Sequence, residues 1–208
     1  MIVDFPNFGY ILEKLPTDLF SNIKQEVDYY KENLETLPHV KNWLAGHLEK
    51  EFRLRDGEVK KQLEEYVLQL AGRYNRRYGY QNTLQILSSN REYVMDEHCW
   101  INFQLKNQFN PVHNHAGIYS FVIWIEIPYT IDEEKQSSPG RDAVENLSGH
   151  FQFVYTDAVG RPATHPLPVD KTYEGKILFF PAKIFHTVYP FYSSDKYRIS
   201  LAGNLLFE

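Results

Sequence analysis

The chain has 208 residues, 43% hydrophobic and 15% aromatic, with a formal net charge of -5. That length suits one good-sized domain, and the acidic balance excludes a global field that would draw the chain to nucleic acid. Cys99 is the sole cysteine, which excludes a disulfide framework and a thiolate zinc site. No stretch approaches the ~20 apolar residues of a membrane span. Asp4 and Pro6 interrupt the N-terminus where a signal peptide would need an apolar run, so a soluble, cytoplasmic protein is expected.

Phe8 to Leu12 reads as a first strand, and Pro16-Thr17-Asp18 as a helix start. Leu19, Ile23, Val27 and Tyr30 follow at helical spacing, with Leu34 extending the stripe. After a break at Asn33 to Pro38, Val40 to Phe52 reads as a second, shorter helix with Trp43, Leu44 and Leu48 on its apolar side. Val59, Leu63, Val67, Leu70 and Tyr74 then mark a long amphipathic helix that Gly79 ends. Arg73, Arg76 and Arg77 cluster at its end, read as a solvated helix C-terminus.

From about Thr83 the texture changes to strands alternating with turns. The spacing predicts strands near Thr83–Ser88, Glu92–Met95, Trp100–Gln108, Ile118–Ile127, His150–Thr156, Lys176–Phe180, His186–Phe191 and Arg198–Leu206. No 10-to-15-residue helical pattern separates them, so an antiparallel sandwich or jelly roll is expected rather than a parallel sheet. Fifteen Tyr and fourteen Phe agree with β structure around a crowded interior. The polar stretch Thr130 to Ser148 reads as a mobile loop or lid, and Asp157 to Gly160 as a hairpin turn. The whole is expected to be one domain: a first strand and supporting helices over 1–82, and a mostly β core over 83–208.

The chemistry concentrates in Pro111-Val112-His113-Asn114-His115 and in Gly175 to Pro181 with His186 beyond. On an extended segment, residues two apart point to the same side, so His113 and His115 can reach one metal ion. Imidazole serves iron, zinc, copper and nickel alike. His186 follows an apolar run closed by Pro181, and it supplies a third candidate ligand. Three ligands leave coordination positions open, as in a catalytic rather than a structural site. Twelve positions after His186, Arg198 lies inside an apolar strand pattern, with Ser200 on the same face. A planar guanidinium fork matches a carboxylate bidentately.

These residues resemble the 2-oxoglutarate/Fe(II)-dependent oxygenase superfamily. The resemblance rests on Trp100-Ile101-Asn102-Phe103-Gln104, Phe109 to Gly117, Ser120 to Trp124, Gly175 to Pro181, His186, Tyr189-Pro190 and Arg198-Ile199-Ser200. It covers the C-terminal half strongly and the N-terminal helices only in general arrangement. Among superfamily members it is nearest to phage-encoded proteins, which would imply a host cytoplasm. The resemblance implies an α+β chain, a double-stranded β-helix (a cupin-like jelly roll) backed by N-terminal helices. It implies Fe(II) held by a His-x-Asp/Glu…His motif, matched by His113 and His186, with His115 where the carboxylate is expected. Glu126 or Asp142 is the alternative third ligand, though Glu126 has the wrong strand parity. His115 would then be a hydrogen-bonding neighbour of the metal.

It further implies that Arg198 and Ser200 bind the distal carboxylate of 2-oxoglutarate. Asn102 and Gln104 could donate to its metal-side carboxylate, or simply flank the strand ladder. Tyr119, Phe121 and Trp124 are available as pocket walls. The implied reaction decarboxylates 2-oxoglutarate to succinate and hydroxylates a C–H bond of a protein side chain, nucleobase or small metabolite. Two readings compete: a cupin-type metal protein without 2-oxoglutarate, and a non-catalytic jelly-roll binding or virion-associated protein. Gly117 to Val122 offers no glutamate of the cupin kind, and Arg198-x-Ser200 favours the oxygenase.

Overall fold

The computed structural model describes residues 7–40, 46–84 and 92–208. Two antiparallel sheets face each other, and two helices back the larger one. The larger sheet runs in the order β1 (Ile11–Lys14), β9 (Lys176–Pro181), β6 (Tyr119–Glu126), β11 (Arg198–Phe207), β4 (Trp100–Gln104), β2 (Lys50–Arg53), with β3 (Tyr93–Met95) paired to β11. The smaller is β5 (Asn110–His113), β10 (Phe185–Val188), β7 (Phe151–Thr156), β8 (Pro162–Leu167). From β4 to β11 the chain passes back and forth between the sheets, as a double-stranded β-helix requires.

Strands of the larger sheet are buried on both faces, which is why they read as near-continuous apolar runs. Along β6, Phe121 and Ile123 pack toward the helices, whereas Trp124 faces the smaller sheet. Along β9, Ile177 and Phe179 face the helices, whereas Leu178 and Phe180 face inward. Helix α1 (Thr17–Glu32) buries Leu19, Ile23, Val27 and Tyr30, the stripe expected from its spacing. Helix α2 (Glu58–Tyr78) buries Leu63, Val67, Leu70, Ala71 and Tyr74, and Gly79 ends it in the left-handed conformation at φ 62°. A single helical turn, α3 (Tyr80–Thr83), follows. Arg73 is drawn back onto Glu13 of β1 through two nitrogens at 2.6 and 2.7 Å, so it pins helix to sheet.

Several expectations are corrected. The first strand begins at Ile11 rather than Phe8. Residues 50–52 of the expected second helix belong instead to β2, because the open edge of β4 offers a ladder in which Phe52 pairs with Ile101. Trp43 and Leu44 lie outside the described residues, as do 85–88 of the strand expected at Thr83–Ser88; Thr83 itself is helical. Strand β8 was hidden by Pro162 and Pro166, which an edge strand tolerates.

The stretch expected to be a mobile loop begins with α4 (Ile131–Ser137). Thr130 and Glu133 close a reciprocal capping box there. The fully buried Glu134 accepts from Tyr192 N and Ser193 N, both at 2.8 Å. The segment is tied at its root, not a free lid.

The chain turns from β5 into β6 through Gly117, at φ 92°. A Cβ there would stand 2.7 Å from the Leu205 carbonyl oxygen. Gly117→Ala should therefore lower stability by about 2–4 kcal/mol, from backbone strain plus the clash. Urea unfolding checks this, and a midpoint indistinguishable from wild type would contradict it.

Candidate metal centre

The β5–β10 ladder sets the site. His186 pairs directly across from His113. The Gly117 turn brings His115 over them, held by its backbone N–H to the Ala182 carbonyl at 2.9 Å. One ligand nitrogen from each of His113, His115 and His186 lies within 4.8 Å of the others. The His115 and His186 Nε2 atoms are 3.2 Å apart. Two nitrogens bonded to one ion at about 2.1 Å stand roughly 3.0–3.4 Å apart, so this spacing fits a shared metal.

His113 Nδ1 lies 2.7 Å from the Pro111 carbonyl, and His186 Nδ1 lies 3.2 Å from that of Ile184. A carbonyl can only accept, so both rings carry the proton on Nδ1 and turn the Nε2 lone pair inward. Phe151 stacks on the His186 ring at 5.1 Å, and Trp100 packs on His115 at 5.6 Å. Burial holds the His113 imidazole below its ordinary range and lowers His115 to about 4. His186, 3% exposed, is held well below its ordinary range by burial and by its two neighbours. Three neutral imidazoles are the protonation state a metal needs.

No carboxylate joins the three histidines among the described residues. Glu126 is engaged by Lys31, and Asp142 lies beside Arg141. The position where the superfamily motif has a carboxylate therefore presents His115 Nε2.

The triad opens into a cavity of about 460 Å³ between the sheets. Its lining includes every site residue expected from the sequence: Asn102, Gln104, His113, His115, His186, Arg198 and Ser200. Arg198, Ser200, Ala202 and Asn204 line it from alternate positions of β11. His115 rests on Trp100, the cross-strand partner of Ala202, which lies four residues along β11 from Arg198. Trp124 and Phe121 also line the cavity, whereas Tyr119 is buried in the helix-side core.

Arg198 is 3% exposed. Gln104 Oε1 accepts from its Nε at 3.2 Å and its Nη2 at 2.6 Å. Tyr129 Oη and the Gly149 carbonyl accept from Nη1 at 2.6 and 3.2 Å, and the Tyr189 carbonyl accepts from Nη2 at 2.9 Å. All five N–H donors are thus engaged by neutral groups. Of the four acceptor residues, Gln104 is the one that lines the cavity. Asn102 is turned to Ser200, Nδ2 to Oγ at 3.4 Å, and its buried Oδ1 has no protein partner. An orphaned acceptor beside the triad fits a cavity completed by a ligand with donors or by water.

Sequence reasoning missed Tyr129 and Gly149 around Arg198, and it singled out Tyr189 with Pro190 without assigning it a contact to Arg198. Gly149 and Tyr189 act through backbone carbonyls, which side-chain patterns do not report, and Tyr129 closes an apolar run. It also missed Asn204, whose shared parity with Arg198 and Ser200 was a readable signal.

Burial of the neutral triad has a pH consequence. With folded pKa values below those of the unfolded chain, the unfolded state takes up protons first as pH falls through the usual histidine range. Stability of the metal-free protein should be unaffected by these groups above about pH 7 and should fall as the pH drops from roughly 6.5 to about 4, the folded value of His115. His186→Gln should flatten part of that slope in urea midpoints measured across the range. An unchanged slope would mean that His186 is not held neutral.

Comparison with known proteins agrees with this geometry. Residues 98–204 match the family described as "Putative 2OG-Fe(II) oxygenase". Comparison with curated protein sequences gave no match. Among solved structures, the chain is similar to a Pseudomonas putida prolyl-4-hydroxylase, with TM-score 0.57 and 15% identity over 97% of this chain and 92% of the other. It is similar to a Trichoplax adhaerens prolyl hydroxylase in complex with a hypoxia inducible factor oxygen degradation domain fragment, with TM-score 0.56 and 14% identity over 96% and 83%. AviO1 from Streptomyces viridochromogenes Tue57 gives TM-score 0.53 and 13% identity over 95% and 90%. At such identities the likeness speaks for the shared double-stranded β-helix. Among the described residues, no helix is long and apolar enough to cross a membrane.

Proposed function

The chain belongs to the 2OG-Fe(II) oxygenase family, and on that premise we propose that it is a hydroxylase-type dioxygenase that couples decarboxylation of 2-oxoglutarate to hydroxylation of a second substrate. His113, His115 and His186 would hold Fe(II), and Arg198 with Ser200 would hold the distal carboxylate of 2-oxoglutarate. The observation that carries this reading is a buried guanidinium with no carboxylate partner at one end of the cavity, and three converging neutral imidazoles nearer the other. Because the triad and the guanidinium line one cavity of about 460 Å³, a small diacid can engage both. When bound, Fe(II) and 2-oxoglutarate together supply the oxidising chemistry of the family.

The chain's own residues bind, orient and exclude water. Because every N–H of Arg198 is already engaged, an incoming carboxylate replaces one present acceptor, and Gln104 is the one that faces the cavity. Asn102 remains available to the metal-side part of the cosubstrate through its unpartnered Oδ1 or, with the amide turned over, its Nδ2. Trp100, Trp124, Phe151 and Phe180 supply the apolar walls. Three neutral ligands leave the ion one charge more positive than two histidines and a carboxylate would. The dianionic cosubstrate can compensate that surplus, and what supports His115 as a ligand is the 3.2 Å between its Nε2 and that of His186. The second substrate is a protein side chain, a nucleobase or a small metabolite. A phage source and host cytoplasm follow from the resemblance of the Trp100–Gln104 and Phe109–His115 stretches alone.

Under anaerobic Fe(II), His113→Ala and His186→Ala should each abolish metal binding, and His115→Ala should weaken it. Unchanged iron affinity in the His186 variant would refute the site. Arg198→Met keeps bulk but removes the fork, so fold and iron binding should survive. Its 2-oxoglutarate affinity should fall by about two to three powers of ten, the effect of losing a charged hydrogen-bonded pair worth roughly 2–5 kcal/mol. Titration into the Fe(II) protein, followed by charge-transfer absorbance, measures this. No 2-oxoglutarate binding by wild type would leave a cupin-type or binding protein instead. A screen for substrate-stimulated succinate release then identifies the second substrate.

A further inference from the structure

Glu134 is fully buried in α4, yet no ion pair joins it among the described residues. Its carboxylate accepts from Tyr192 N and Ser193 N, each at 2.8 Å, and from the Ser193 hydroxyl. A buried carboxylate spent on a surface loop alone would be an expensive way to fix it, since desolvation opposes the arrangement. What that loop touches supplies the reason. Residues 189–197 belong to no helix or strand, so no sheet ladder fixes their position. Tyr189 and Phe191 nevertheless form the rear wall of Arg198. The Tyr189 carbonyl accepts from Nη2, and the Phe191 ring centre lies 5.4 Å from the guanidinium carbon. Phe191 also stacks on Tyr129 at 4.9 Å, and Tyr129 Oη accepts from Nη1. Three backbone bonds reach the stretch as well, from Tyr189 N to the His150 carbonyl, from Gly149 N to the Pro190 carbonyl and from Asn107 N to that of Phe191; none of them holds the two residues beyond Phe191 that Glu134 grips.

We propose that Glu134 is a positioning residue for Arg198. By gripping the two residues that follow Phe191, it holds the rear wall against the guanidinium, so that the fork faces the cavity when Gln104 yields to a carboxylate. This rests on the proposed role of Arg198 in holding the distal carboxylate of 2-oxoglutarate. The side chain touches neither substrate nor metal; it acts through the loop. The expected reach of the effect is therefore narrow: the distal end of the cosubstrate, not its metal-binding end.

Pyruvate separates the two ends, because it shares the 2-oxo acid head of 2-oxoglutarate but lacks the distal carboxylate. Both acids are titrated into the anaerobic Fe(II) protein, wild type and variants, with charge-transfer absorbance as readout. Wild type should prefer 2-oxoglutarate by about a hundredfold, the factor expected of a charged pair. Glu134→Gln sets an NH₂ donor against backbone N–H donors. It should lower 2-oxoglutarate affinity by about tenfold while changing pyruvate affinity less than about twofold. Ser193→Ala removes one donor without a clash, and should shift the preference in the same direction by about threefold. It also gives the answer if the Gln variant does not fold. In an Arg198→Met background, Glu134→Gln should have no further effect on 2-oxoglutarate, as coupled residues require. A preference left intact in both variants, or parallel loss of both acids, would overturn the positioning role. Equal wild-type affinities for the two acids would instead overturn the Arg198 assignment beneath it.

Discussion

One cross-strand pairing carries the site: His186 of β10 opposite His113 of β5. A strand ladder fixes register to the residue, and a slip of one position in either strand would send that strand's imidazole to the outer face and split the pair. The ladder also explains why the ligands are rigid before any metal arrives. Backbone carbonyls at Pro111 and Ile184 hold the two Nδ1 protons, so the rings need little reorganisation to present Nε2. His115 depends on the same ladder indirectly, through the Gly117 turn and the Ala182 carbonyl.

The second constraint is charge in a closed space. Arg198 is buried with five hydrogen bonds to four neutral acceptors and no carboxylate. Dipoles offset much of the cost of burying it, but a cavity with a guanidinium at one end and a divalent ion beyond favours anions. The three-imidazole triad strengthens that bias, because the protein itself supplies no negative ligand. The excursion from Tyr129 to Gly149 matters here through its two ends, both of which touch the guanidinium. It closes the arginine end of the barrel and lines none of the main cavity.

The sequence was legible where period-two alternation and buried runs coincide. Gly175 to Pro181, Ser120 to Trp124 and Arg198 to Leu206 announced central strands, and the helical stripes of α1 and α2 were read to within a residue or two. His113, His115 and His186 could be grouped because strand parity and the proline that closes β9 constrain where they point. Three kinds of information were missing. Lys50 to Arg53 becomes a strand because β4 has an open edge, which is a tertiary fact. Pro162 and Pro166 mask an edge strand that needs few N–H donors. Glu134 and Tyr129 sit in or beside a polar stretch whose composition suggests a loop. Their importance comes from Arg198, more than sixty positions away for both.

The central claim is that three imidazoles, and no protein carboxylate, hold the metal that 2-oxoglutarate joins. X-ray absorption at the iron edge of the anaerobic Fe(II)–2-oxoglutarate protein counts imidazoles directly through their outer-shell scattering. The account predicts three in wild type and two in His115→Gln, each with nitrogen at about 2.0–2.2 Å. Two imidazoles in wild type, unchanged in His115→Gln, would contradict it and return His115 to the role of a neighbour.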